Sequence, residues 1–248
     1  MVNIDKYEQD FIRDYESGDF ERNLTVYRKK KILQILKKYN TDRVLEVGCG
    51  MEPLFLIYDD YREMCVVEAG RRMADHAQEL VGNRDHITVI HGFLEEKAEC
   101  LKKKAFDFIL LVGLIHEVEN PDLLMERIYD ISGRDTKILV TTNNPNSFHL
   151  TLAYESGLIP GLGILTEKAK QFQRNRVFSM REMKEFVQEH HFKILEEGGY
   201  YIKPFSHRQM KQMLELGIID ENLLDGLDKM EAYMPKLAAE NYVVISKQ

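Results

Sequence analysis

From Thr41 onward the chain alternates short apolar runs with longer stretches in which apolar residues recur at helical spacing. The runs Arg43–Val47, Met64–Glu68, Ile87–His91, Phe106–Val112, Lys137–Thr142, Phe192–Tyr201 and Tyr242–Ser246 read as seven strands. Helical spacing fits Arg71–Leu80, Leu94–Lys103, Pro121–Ile131 and Ser179–His190, the last opening on a Ser179/Glu182 capping box. Strands buried on both faces and separated by crossover helices are the pattern of a parallel sheet, so the expectation is an α/β, Rossmann-like doubly wound fold with βα alternation throughout. Before Thr41 the chain is rich in charge, and Ile32, Leu33, Ile35 and Leu36 lie at helical spacing without an intervening proline. Two N-terminal helices are predicted there.

The alternation leaves two segments over, residues 145–178 after the fifth strand and 204–240 between the sixth and seventh. Both are expected to be helical insertions on the substrate side, because ligands of open sheets bind at the carboxyl ends of the strands. The organisation that follows is one domain over residues 1–248, with a helical cap at 1–40, a cofactor-binding core at 41–144 and the two insertions. At 248 residues one domain buries a large core without disulfides or metals.

Composition narrows the class of partner. Thirty-four Lys and Arg against 41 Asp and Glu give a formal charge of −7, which argues against a nucleic-acid binder. The clusters Arg28–Lys31 and Lys102–Lys104 read as solvated helix faces, with Arg28 alone retained as a candidate ligand contact. The longest apolar stretch, Phe108–Ile115, is too short for a membrane span, and Met1–Glu8 lacks the pattern of a secretory signal. Cys49, Cys65 and Cys100 are odd in number and widely spaced, unlike a disulfide framework or a zinc site. A cytoplasmic protein, monomeric or homodimeric, is expected.

The segment Val44-Leu45-Glu46-Val47-Gly48-Cys49-Gly50-Met51-Glu52-Pro53 carries the chemistry: a buried strand running into a glycine-bearing turn. Glu46 stands near the end of that strand, and Glu68, 22 residues on, ends the next. An acid at the end of the second strand accepts hydrogen bonds from ribose hydroxyls, so the pair points to an adenosine ligand across the first two strands. A carboxylate ending an apolar strand is costly to desolvate without a partner, which favours ligand contact for both. A dinucleotide would call for a third glycine where Pro53 stands, so a dehydrogenase is disfavoured. Glu46 beside the turn suits a cationic sulfonium or ammonium better than a pyrophosphate, and S-adenosylmethionine meets both requirements.

These residues resemble the class I S-adenosylmethionine-dependent methyltransferases over most of the chain. Glu46-Val47-Gly48-Cys49-Gly50 is similar to the family's first motif, Glu68 to its ribose acid, Gly92-Phe93-Leu94 to its adenine-flanking loop, and Phe106–Pro121 to its fourth-strand motif. The last resembles the Glu-His-Val-x-x-Pro element of ubiquinone-biosynthesis-type O-methyltransferases, with acid and histidine exchanged. The tracts 143–149 and 203–210 resemble a bacterial subgroup of small-molecule methyltransferases. The resemblance implies cofactor contacts at Arg28, Glu46, Gly48, Cys49, Gly50, Glu68, Ala69, Gly92, Phe93, Leu94, Val112 and Gly113. It departs from the family in its missing third glycine and in Gly92-Phe93, which replaces the usual acid.

Methyl transfer from a sulfonium needs alignment above all, and a hydroxyl acceptor adds the need for a base, usually histidine. His116, after the fourth strand, and His149, after the fifth, are the candidates. Asn144, Lys203, His207 and Arg208 are expected to bind the acceptor, the last three through an anionic group. The other histidines read as structural, Glu117 and Glu119 as rim charges, and Tyr7, Tyr15 and Tyr27 as residues of a cap that could close over the cofactor. Gly113-Leu114 and Asn143-Asn144 stand where cation-dependent relatives carry acids, so no metal is expected. The expected activity is methyl transfer to a hydroxyl of a polar small molecule. N-methylation of a small amine and a non-catalytic cofactor-binding subunit are the alternatives.

Overall fold

A computed structural model describes residues 3–165 and 176–248. Seven strands, β1 (Arg43–Val47), β2 (Glu63–Glu68), β3 (Ile87–His91), β4 (Phe108–Leu111), β5 (Lys137–Asn143), β6 (Phe192–Tyr200) and β7 (Glu240–Lys247), form one sheet in the order β3-β2-β1-β4-β5-β7-β6. The strands β1 to β5 pair in parallel, while β7 runs antiparallel to both β5 and β6. The described helices are α1 (Ile4–Glu16), α2 (Glu21–Leu36), α3 (Arg71–Val81), α4 (Leu94–Leu101), α5 (Pro121–Ile131), α6 (Phe148–Glu155), α7 (Met180–Glu189), α8 (His207–Glu215) and α9 (Glu221–Lys229).

Alternation along each strand decides which face of the sheet a side chain feeds. Val44 joins Leu36, Met64 and Phe108 on one side, and Leu45 joins Cys65, Ile109 and Val140 on the other. Both layers are closed by helices, so β4 is buried at every position. Leu45 is fully buried, and its truncation to alanine would cost about 2–5 kcal/mol. Local signals set the helix ends: Ser179 and Glu182 form the predicted capping box of α7, and Asn120 with Pro121 opens α5.

The expected βα alternation breaks in two places. The connection from β1 to β2 holds a single 3-10 turn, Leu54–Leu56, instead of an α-helix. The chain after β6 stays at the carboxyl end of the sheet through α8 and α9, and a segment returning from the end it left on must run antiparallel. The sheet is therefore mixed, not wholly parallel. Of the two expected insertions, the second contains α8 and α9 and the first contains α6, with residues 166–175 of the first outside the described residues. No helix among the described residues is long and apolar enough to cross a membrane.

Candidate active site

The carboxyl ends of β1, β2, β4 and β5 open into a cavity of about 1650 Å3. At the end of β1 the backbone reverses through Gly48 and Gly50, at φ +75° and +56°. The left-handed region costs glycine little, and at Gly50 a Cβ would also lie 3.0 Å from the Phe11 ring of α1. The Gly48 N–H donates to the Val67 carbonyl at 2.8 Å, tying the turn to β2.

Glu68 is the hub of this turn. Its Oε2 accepts the Gly50 N–H at 3.0 Å and its Oε1 accepts the Gly70 N–H at 2.9 Å. Burial raises its pKa, and these backbone donors work in the opposite direction. A carboxylate has about four lone-pair positions, so acceptor capacity remains for hydroxyls of a ligand. Glu46 accepts the Leu54 N–H at 2.9 and 3.2 Å, and burial pushes its pKa up to about 8. The protein thus holds a carboxyl group whose charge is poorly compensated, and a cationic ligand would restore its ionisation. Burial also pushes the Cys49 thiol far up, which suits a small neutral lining residue. Ala69, Gly92, Phe93, Leu94, Val112 and Gly113 line the same cavity. The Gly113 N–H is fixed by the Thr141 hydroxyl at 2.9 Å.

Arg28 lines the cavity as well. Its guanidinium is enclosed by the protein: Nε donates to Glu240 at 2.9 and 3.2 Å, and Nη2 bonds Glu240 and, at 2.8 Å, Glu21. Tyr200 donates to the same Glu240 carboxylate. Two carboxylates thus fix the Arg28 guanidinium in the cavity wall. Asn144 lines the cavity too. Its amide donates to the carbonyls of Lys236 and Ala238 at 3.0 and 2.8 Å and its oxygen accepts the Asn146 N–H at 2.9 Å, pinning the loop after β5.

Both candidate base histidines line the cavity. His116 is buried, with Nδ1 3.0 Å from the Thr142 hydroxyl and Nε2 3.7 Å from Glu117 Oε1. His149 has Nδ1 3.1 Å from the Ser147 hydroxyl. Burial, then the charges of Lys203 and His207, push its pKa down to about 2, so its ring is neutral at pH 7. The positive set is thus close to His149, but it is not purely cationic. His207 lies 3.4 Å from Asp19 and 3.8 Å from Glu21 across the start of α2, while Lys203 is buried and Arg208 is exposed on α8.

The cap engages three loops of the site. Tyr7 donates to Glu117 after β4, and Tyr15 donates to Glu52 after β1 at 2.9 Å, where Lys29 also pairs. Glu8 accepts the Met73 N–H at 2.9 Å, capping the N-terminus of α3. Tyr27 instead belongs to the core, its ring centroid 4.8 Å from that of Tyr201. Sequence reasoning missed Glu8 and Phe11: neither an acid nor a phenylalanine on an amphipathic helix signals a contact made some 40 to 65 residues away.

A carboxyl group poised for a cation, a second with spare acceptor capacity and two loops of close backbone approach fit S-adenosylmethionine. The family model described as a methyltransferase domain matches residues 20–197. The chain belongs to this methyltransferase family. Its cofactor is S-adenosylmethionine, and the fold is the Rossmann-like methyltransferase fold. The methyltransferase is similar in fold to a SAM-dependent methyltransferase, possible histamine N-methyltransferase, from Thermotoga maritima: 18% identity, TM-score 0.64, covering 98% of this chain and 99% of that one. It is also similar to the methyltransferase in complex with the Haloferax volcanii Trm112 methyltransferase activator, with 12% identity, TM-score 0.66, and coverage of 100% and 99%. A third neighbour is the magnesium protoporphyrin IX methyltransferase of Synechocystis PCC 6803 with bound SAH, at 11% identity, TM-score 0.56, and coverage of 92% and 86%. No curated protein matches the chain.

Proposed function

We propose that the protein methylates a hydroxyl of a small polar acceptor that carries an anionic group. The observation that supports this reading is that His149, Lys203, His207 and Arg208 line the same cavity as Glu46 and Glu68. In this reading Glu68 accepts the ribose hydroxyls, and Glu46 ionises against the cationic end of the cofactor. The turns Gly48–Gly50, Gly92–Leu94 and Val112–Gly113, with Ala69, enclose the rest. The bound cofactor supplies an electrophilic methyl carbon, and the chain's task is to hold the acceptor oxygen at about 3 Å in line with it.

Lys203 and Arg208 take the anionic group of the acceptor. Its arrival neutralises part of the charge that depresses His149, so the ring's proton affinity rises when substrate is in place. His149 Nε2, the nitrogen that Ser147 does not engage, then accepts the proton of the acceptor hydroxyl. His116, fixed by Thr142, shapes the cavity wall beside Glu117, to which α1 is tied.

A second reading, N-methylation of a small amine, draws support from Glu117 and Glu119, two carboxylates on the cavity wall after β4 that suit an ammonium. Transfer of labelled methyl from S-adenosylmethionine to matched hydroxyl and amine acceptors, each with and without a carboxylate, separates the two. The proposal expects turnover of the hydroxy acid. Turnover of the amine alone, or indifference to the anionic group, would overturn it.

A further inference from the structure

At the opposite pole of the sheet, about 13 Å from the carboxyl end of β1 at the usual rise per residue, a second cavity of about 120 Å3 opens where β1 and β2 begin. Arg43, Cys65, His86, Thr88, Lys104 and Phe106 contribute to its lining. The Arg43 side chain is singular here. Among the described residues its Nε is buried without a hydrogen-bond partner, although Glu63 is its register neighbour on β2 and the Asp107 carboxylate accepts its backbone N–H at 2.9 Å. A buried guanidinium N–H without an acceptor is costly to desolvate, so a native site that keeps one has a use for it or fills it.

The chain bends to bring a second cation to the same place. After α4 the turn Lys102–Lys104 ends at Ala105, which takes φ +50°, the left-handed region that alanine rarely adopts. That turn lets Lys104 and Phe106, on either side of Ala105, both reach the cavity. Lys104 is close enough to Cys65 for its charge to act on the thiol.

We infer that the Arg43 cavity is a binding site for a small oxyanion, a phosphate or carboxylate group, separate from the methyl-transfer site. The volume accommodates a phosphate group and leaves any larger body attached to it outside. Glu63 and Asp85 also line the cavity and oppose an anion's charge, so recognition rests on the Arg43 guanidinium and on Lys104 rather than on a positive field. Affinity on the order of 1 mM is what one charge-assisted contact with a helper cation supports.

Equilibrium dialysis of the full chain against radiolabelled inorganic phosphate at constant ionic strength, with and without saturating S-adenosylhomocysteine, tests the inference. One phosphate per chain is expected whether or not S-adenosylhomocysteine is present. Arg43→Met should weaken it about tenfold and Lys104→Met about threefold, while Arg62→Met, on an exposed arginine paired with Asp42, leaves it unchanged. Competition by acetate or by a nucleoside monophosphate identifies which bearer of the oxyanion the site prefers. Binding retained in both Arg43→Met and Lys104→Met, binding displaced by S-adenosylhomocysteine, or no binding up to about 20 mM would overturn it. Lys104 is only partly buried, so its variant remains informative should Arg43→Met fail to fold.

Discussion

Glu46 and Glu68 owe their places to the pitch of two parallel strands, whereas His149, Lys203 and His207 are brought to the same cavity by segments that lie outside the alternation of strand and helix. Glu46 bonds the Leu54 N–H beyond the end of its own strand, and Glu68 bonds Gly70 beyond its strand and Gly50 in the turn after β1. The histidines and Lys203 depend on α6, on the loop that leaves β6, on α8, and on carboxylates of α2 and the turn before it. The first region is specified by a few neighbouring residues and has little room to vary. The second is assembled from distant pieces, so a change of acceptor costs the fold little there.

The largest effect expected from this division is at Glu68. Glu68→Ala removes the proposed ribose contacts and leaves the Gly50 and Gly70 N–H groups without their acceptor, so S-adenosylhomocysteine affinity should fall by about 100-fold or more in a calorimetric titration. His149→Ala belongs to the other region: kcat should drop by about 100-fold with cofactor affinity unchanged. Its neutral ring contributes no limb to the pH profile of the free enzyme between pH 5 and 8, and a limb there that vanishes in His149→Ala would contradict the assignment.

Glu46 yields a smaller, signed effect. An acid raised from 4.5 to about 8 binds more protons folded than unfolded between those values, so stability from this group falls as pH rises through that window. Glu46→Gln should therefore melt higher than the native protein at pH 8, by about 3 °C, while binding cofactor more weakly. Cofactor affinity in the native protein should climb with pH toward about 8, with a proton released on binding at pH 7. Calorimetry in buffers of different ionisation enthalpy counts that proton. The smallest change is expected at the cap: Tyr7→Phe and Tyr15→Phe each loosen one tie of α1 and should speed S-adenosylhomocysteine release by about two- to fivefold in stopped-flow displacement.

The same division governs what could be read from the chain before folding. The strands, the capping box of α7 and the acid pair are local patterns, written within a few residues of where they act. The antiparallel β7 was not legible, because its direction is set by the end of the sheet at which residues 201–239 remain. Arg28 shows how much of a residue's setting lies far off along the chain: it lines the cavity, and Glu240, more than 200 positions later, holds its guanidinium. Glu8 was invisible for the same reason, since its partner is a backbone N–H of α3. Distance along the chain, rather than subtlety of chemistry, separates the readable contacts from the others.

The central claim is that one cavity holds two functionally separable regions, and the direct test is calorimetric titration of S-adenosylhomocysteine into the native protein, Glu68→Ala and His149→Ala. The account predicts tight binding in the native protein, its loss in Glu68→Ala and its full retention in His149→Ala. Equal loss in both variants, or retention in Glu68→Ala, would contradict it.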